Sequence, residues 1–283
     1  MSADRPRILW VRDVAMIVAV LAFACMLGAM WLNRVIEPRG PSRKGQCVSN
    51  QHQVGMAILT HATKKGNFVG YRNEFNGKPI SWPNSVLPEL GRSDLHDALI
   101  ADGEVPAVPM EIMLCPSDVD KWSSSAAPLS YVINASCAQD AGDVIANGVA
   151  LDGLETEERV SLSYVAQNDG TSYTVLLGEN LQATRWDQPS RIGTTFLWHN
   201  TMTPREEHLI NGGDTSRPVT LDTARPSSNH RGGAVFTFCD GRTMFISQEI
   251  EYRVYMQLMT PNGRASDMPD EWKDQPLAES DFQ

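Results

Sequence analysis

The sequence predicts an α+β fold: a single N-terminal transmembrane helix, then a domain whose own first helix packs on an antiparallel β-sheet. Three observations lead there. Residues 14–32 (VAMIVAVLAFACMLGAMWL) are uncharged and almost wholly apolar. An amphipathic stripe runs through residues 46–65, and two β-forming runs flank Asp240-Gly241.

At about 1.5 Å per residue, a helix over the apolar run reaches roughly 28 Å, close to the hydrocarbon thickness of a bilayer. Trp10 and Trp31 bracket the run, and Arg12 and Arg34 lie where they can snorkel to headgroups. The expected span is 14–33, behind a short flank of 1–13. A signal-peptide core is shorter and stops at a small-residue cleavage site, whereas apolar residues here continue past Leu27-Gly28-Ala29. Arg5, Arg7 and Arg12 precede the run and Arg34, Arg39, Arg43 and Lys44 follow it, so charge alone does not orient it. A short flank with a whole domain behind it is the pattern of an uncleaved signal anchor, which places the C-terminal domain on the extracytoplasmic side of the cytoplasmic membrane. The expected partners are the lipid bilayer, through residues 14–33, and other envelope proteins.

The 283 residues carry 24 Lys and Arg against 34 Asp and Glu, a formal net charge of −10. The acid excess lies beyond residue 44, and no basic stripe interrupts it. Nucleic acid, whose phosphates need Lys and Arg, is therefore not an expected partner. Of five cysteines, Cys25 lies in the apolar run. Cys47, Cys115, Cys137 and Cys239 remain, and a Cys115–Cys137 disulfide would close a modest loop in an oxidising compartment. Four buried free thiols are the alternative reading. No pair has CxxC spacing and the six histidines are scattered, so no metal site and no cofactor are expected.

Residues 34–45 hold two prolines and two glycines and read as a linker. The next helix, over 46–65, places Cys47, Gln51, Val54, Ile58 and His61 on one stripe, with Met56, Leu59 and Ala62 beside it, and stops at Gly66-Asn67. A short helix follows near 93–100, and strands are expected at 129–135 and 172–177. Residues 138–160 read as an insertion and 201–228 as a long surface excursion. The runs 234–239 and 242–247 around Asp240-Gly241 form a hairpin, with a type I′ turn predicted. A helix over 249–259 follows. The domain thus covers 46–263, and the last residues, 264–283, read as a flexible acidic tail.

Five short motifs occur in order. They are Gln46-Cys47-Val48-Ser49-Asn50-Gln51-His52-Gln53-Val54-Gly55; Leu114-Cys115-Pro116-Ser117-Asp118; Ser130-Tyr131-Val132 with Asn134; the run 171–180 ending Leu176-Leu177-Gly178-Glu179-Asn180; and His230 followed after nine residues by Asp240-Gly241. Together they resemble a large bacterial family of unknown biochemical function, recognised by a prepilin-like N-terminus and a C-terminal H-x9-DG motif and sometimes labelled solute-binding. The resemblance implies a pilin-like exterior domain, with an N-terminal helix laid across an antiparallel sheet. The chain departs from the pattern at Trp10-Val11-Arg12-Asp13-Val14, where prepilin-type members carry a processing site.

Nine extended residues span about 30 Å, so His230 and Asp240 lie at opposite ends of a strand and form no catalytic pair. His230, Asp240 and Gly241 are read as structural, with Glu179 or Asn180 as the partner of His230. Glu179, Asn180 and His230, with Asp118, form a candidate rim for a cation or for sugar hydroxyls. No nucleophile elbow, phosphate loop, HExxH or dinucleotide fingerprint is present, and no catalytic residue is expected. The expected role is structural or interaction-based; the alternative is a tethered binding protein for a small solute or carbohydrate, using Trp82, Trp122, Trp186 and Trp198 as stacking faces.

Overall fold

The computed structural model describes residues 5–36, 39–140 and 142–282. It divides into two compact units, Met1–Arg43 and Lys44–Gln283.

The first unit is built on α1 (Arg5–Ile36). Among the described residues no helix is long and apolar enough to cross a membrane, which overturns the transmembrane helix expected over 14–33. The helix takes in Arg5, Arg7, Arg12, Asp13 and Arg34 as well as the apolar run.

The second helix, α2 (Arg39–Lys65), begins well before residue 46. Pro41 sits in its first turn, where a missing N–H costs nothing, so the expected linker is largely helical. Beyond it the chain forms β1 (Arg72–Phe75), β2 (Lys78–Ser81), α3 (Trp82–Ser85), α4 (Ser93–Asp102), α5 (Lys121–Ser124) and β3 (Tyr131–Cys137). Then come α6 (Leu162–Gln167), β4 (Val175–Glu179), β5 (Thr195–Trp198), β6 (Gly233–Phe238), β7 (Thr243–Ser247), α7 (Tyr252–Met259) and α8 (Asp270–Lys273).

The main sheet has the order β5-β3-β4-β6-β7, and β1 with β2 form a separate hairpin. Pairing is antiparallel except that β5 runs parallel to β3. This corrects the purely antiparallel expectation. Glu179 at the end of β4 pairs with Tyr131 at the start of β3. The chain crosses from there to the free edge of β3, and so β5 sets off in the direction of β3.

Helix α2 lies on this sheet through a buried stripe of Cys47, Gln51, Val54, Ile58 and Ala62, the i, i+4, i+7 pattern of a core-facing helix. The Gln51 amide donates to the carbonyls of Leu177 in β4 (3.2 Å) and Val235 in β6 (3.1 Å). Gly55 permits the close approach, since a Cβ there would lie 2.6 Å from Thr237 Cγ2. Met56, expected beside the stripe, is exposed. Tyr131 reaches α2, its hydroxyl 3.4 Å from the Cys47 carbonyl, while Asn134 donates to the Met259 carbonyl of α7 (2.7 Å). Residues i and i+3 of a strand face opposite ways, so α2 and α7 cover the two sheet faces.

The β6–β7 turn differs from the expected type I′. Gly241 has φ +88° and Asp240 does not have positive φ. Gly241 N donates to Phe238 O (3.0 Å) and Phe238 N to Arg242 O (2.8 Å). That is a three-residue loop closed by a glycine bulge. Positive φ at two successive residues occurs instead at Asn76-Gly77 (52° and 75°), joining β1 to β2.

Two further expectations change. The segment 264–283, expected as a flexible tail, packs on the domain: Met268 and Phe282 are buried, and Phe282 stacks on Phe238 with centroids 5.8 Å apart. Its acidic residues hide this from composition. Cys115 and Cys137 are free thiols, not a disulfide. Cys137 ends β3 and donates to Gln139 Oε1 (2.9 Å), while Cys115 faces His230.

Candidate functional site

Four separated segments converge at the end of β4. Helix α2 supplies Cys47 from the buried side of its stripe. A 3-10 turn, Glu111–Met113, turns the chain into Leu114-Cys115-Pro116-Ser117-Asp118. Strand β4 ends at Glu179, and the segment entering β6 carries His230.

Glu179 is the hub. Its Oε2 accepts the Val235 backbone N–H (2.8 Å), standing in for the next rung of the β4–β6 ladder. Its Oε1 accepts the Cys47 thiol (2.9 Å) and lies 3.2 Å from His230 Nε2. That nitrogen is also 3.4 Å from Cys115 Sγ, and the Tyr131 hydroxyl is 3.4 Å from Cys47 Sγ. Cys47, Cys115, Glu179 and His230 are all buried. Burial, opposed and outweighed by bonds to Cys115 and Glu179, leaves the His230 imidazole pushed up to about 10. The Cys47 thiol is pushed up, first by burial. Cys115 is lowered, because the hydrogen bond with Cys47, aided by His230, outweighs burial.

Asp118 and Asn180 flank this group. Asp118 accepts from Ser130 Oγ (3.1 Å) and lies 3.6 Å from Lys121 Nζ; burial raises its carboxyl. Lys121 donates to the carbonyls of Leu129 and Asn180, both at 2.7 Å, and burial lowers its ammonium to about 8. Asn180 Oδ1 accepts from Gln182 N (2.7 Å). The structure thus brings Glu179, Asn180, His230 and Asp118 to one place, but as a closed, buried group: the space bounded by Glu179, Asn180 and Asp118 with Ser227, Ser228 and Asn229 admits no water-sized sphere. Asp240 and Gly241 lie at the other end of β6, where the Gly241 carbonyl is 2.9 Å from His52 Nδ1.

Sequence reading placed Cys47 on a helix stripe and Cys115 either in a disulfide or as a buried free thiol, and it joined neither to His230. Their membership in two of the five ordered motifs was the available signal. Cys115, His230 and Glu179 are the side-chain types of a nucleophilic triad, but both contacts of His230 use Nε2, whereas a triad uses the two ring nitrogens for its two partners.

The tryptophans offered for stacking are mostly occupied elsewhere. Trp82, Trp186 and Trp198 are fully buried, their indole N–H groups bonded to the carbonyls of Thr194 (2.9 Å), Val108 (2.9 Å) and Asn147 (2.8 Å). Trp122 is exposed.

A second histidine group lies apart. The rings of His199 and His208 stack with centroids 3.8 Å apart, faced by Arg205, Glu207 and Asp222. Burial, reinforced by His208, lowers His199 to about 4 from an ordinary value near 6.5, and burial also lowers His208. A folded pKa below the unfolded one stabilises the neutral form, so this contribution is present above pH 6.5 and lost as pH falls toward 4. Unfolding free energy should drop by about 2–3 kcal/mol across that window on account of His199. Denaturant titrations of the parent and His199→Gln at pH 7 and pH 4 check this; an equal loss in both would sink it.

No curated protein and no solved structure matches the chain. A family model does, over residues 37–253, a stretch that contains all four segments of the site. The chain belongs to the family described as a protein of unknown function, DUF1559, which carries the solute-binding label SBP_bac_10.

Proposed function

We propose that the chain is a non-catalytic, pilin-like or pseudopilin-like envelope protein that acts on the extracytoplasmic side by assembling with other proteins. One observation carries this reading. The apolar side chains of α1, among them Ile17, Val18, Val20, Leu21 and Phe23, are about 60% exposed. A contiguous apolar surface of that kind is stable in water only when another apolar surface covers it. Cys47, Cys115, Glu179 and His230, by contrast, are buried and engaged with one another, which favours a scaffolding role for them and leaves contact to the surface.

Sedimentation and cross-linking of the full chain test this. The parent is expected to associate, and Ile17→Asn with Leu21→Asn is expected to weaken association by about tenfold or more, the cost of removing two buried aliphatic side chains. A parent that stays monomeric at all concentrations would overturn the assembly reading. Saturable binding of a monosaccharide or oligosaccharide by that monomer would instead favour the solute-binding alternative.

A further inference from the structure

We propose that Cys47 Sγ, Cys115 Sγ, His230 Nε2 and Glu179 Oε1 form a four-coordinate site for a borderline-soft divalent cation of the zinc class, pinning α2 to the sheet. The four donor atoms lie within 4.8 Å of one another. Three of the edges measure 2.9, 3.2 and 3.4 Å. A tetrahedron with metal–sulfur bonds of about 2.3 Å and metal–nitrogen or metal–oxygen bonds of about 2.0–2.1 Å has edges of roughly 3.3–3.8 Å, so closing around an ion asks these three edges to lengthen by roughly 0.1–0.7 Å. Two thiolates, an imidazole and a carboxylate suit zinc and suit magnesium or calcium poorly.

The surroundings are those of a ligand set held in place. Glu179 Oε2 is fixed by the Val235 N–H, which leaves Oε1 aimed at the cluster. Tyr131 donates to the Leu114 carbonyl (3.2 Å) and lies against Cys47 Sγ, and the Ser117 backbone N–H supports Cys115. Such outer partners orient ligands and tune their basicity. The other two buried thiols have no such company: Cys137 is bonded to Gln139, and Cys239 lies in the β6–β7 loop beside Asp240. Binding would replace the protons on the two thiols and the imidazole, which leave to solvent. The ligands come from four segments spread over residues 47–230, so the ion would act on the folded state as a staple. Assembly through α1 is a separate matter, and either idea can fail without the other.

Metal analysis of the full chain, purified under reducing conditions without chelator, tests the site. About one zinc per folded chain is expected, and cobalt replacement should give thiolate-to-metal charge-transfer bands with the strong d–d bands of tetrahedral coordination. Cys47→Ser and Cys115→Ser should each remove those bands, while Cys137→Ser and Cys239→Ser keep them. Should the first two variants fail to fold, the unmodified chain still decides: added zinc must raise its melting temperature in a concentration-dependent way, and chelator must reverse it. A folded parent chain that takes up neither zinc nor cobalt overturns the proposal, as do cobalt bands that survive loss of both cysteines.

Discussion

Glu179→Ala, measured with chelator present so that no metal contributes, is expected to lower the stability of the chain by about 3–5 kcal/mol. The alanine removes the only counter-charge within 4.0 Å of His230 among the described residues. It also leaves the buried Val235 N–H without its acceptor and the Cys47 thiol without its own. A charge stripped of its partner inside a protein costs far more than the pair ever contributed, which is why the truncation outweighs an ordinary surface change. Glu179→Gln keeps an acceptor for Val235 and loses the charge, so it should cost less, about 1–3 kcal/mol. Urea unfolding with an unchanged dependence on denaturant would read both values. A loss under about 1 kcal/mol for the alanine variant would mean that Glu179 is not the hub of this group.

Trp198→Ala is expected to cost a similar amount, about 3–5 kcal/mol. The ring is fully buried at the end of β5, and its N–H is satisfied by the Asn147 carbonyl in the 138–160 segment. Removing it opens a large void and frees that segment from the sheet edge. Trp198→Phe fills most of the void and loses the hydrogen bond, so it should fall between parent and alanine. The pair of variants separates two roles for this tryptophan. A packing role moves the melting temperature and leaves any sugar affinity unchanged; a stacking role for a ligand does the reverse.

Much of the domain was legible because local pattern and tertiary role agree. The Cys47, Gln51, Val54 and Ile58 stripe named the sheet-facing side of α2, and the runs around Asp240-Gly241 named the β6–β7 hairpin. The turn type was not legible, since Asp-Gly serves both a two-residue loop and a three-residue loop with a glycine bulge, and the register of the strands decides between them. Strand β5 escaped notice because four residues, Thr195–Trp198, carry little periodicity and their place comes from pairing with β3 more than fifty residues away. The β1–β2 hairpin hid for another reason: Asn76-Gly77 is a strong turn signal, but its flanks are mostly polar and do not alternate. At the site, Glu179, Asn180, His230 and Asp118 were legible as motif residues. That the two cysteines join Glu179 and His230 was not, because convergence of α2, the 114–118 segment and β4 is a property of the fold and leaves no local trace.

The Gln51 amide bridges two neighbouring strands at once, β4 and β6, from a helix that continues toward the N-terminus. A pull on that helix near residue 44 is therefore delivered into the middle of the sheet, across paired strands that resist together, instead of peeling an outer strand rung by rung. With Gly55 seated against Thr237, the helix has no slack in which to slide before that load arrives. Single-molecule stretching from residue 44 should therefore meet greater resistance in the parent chain than in Gln51→Ala.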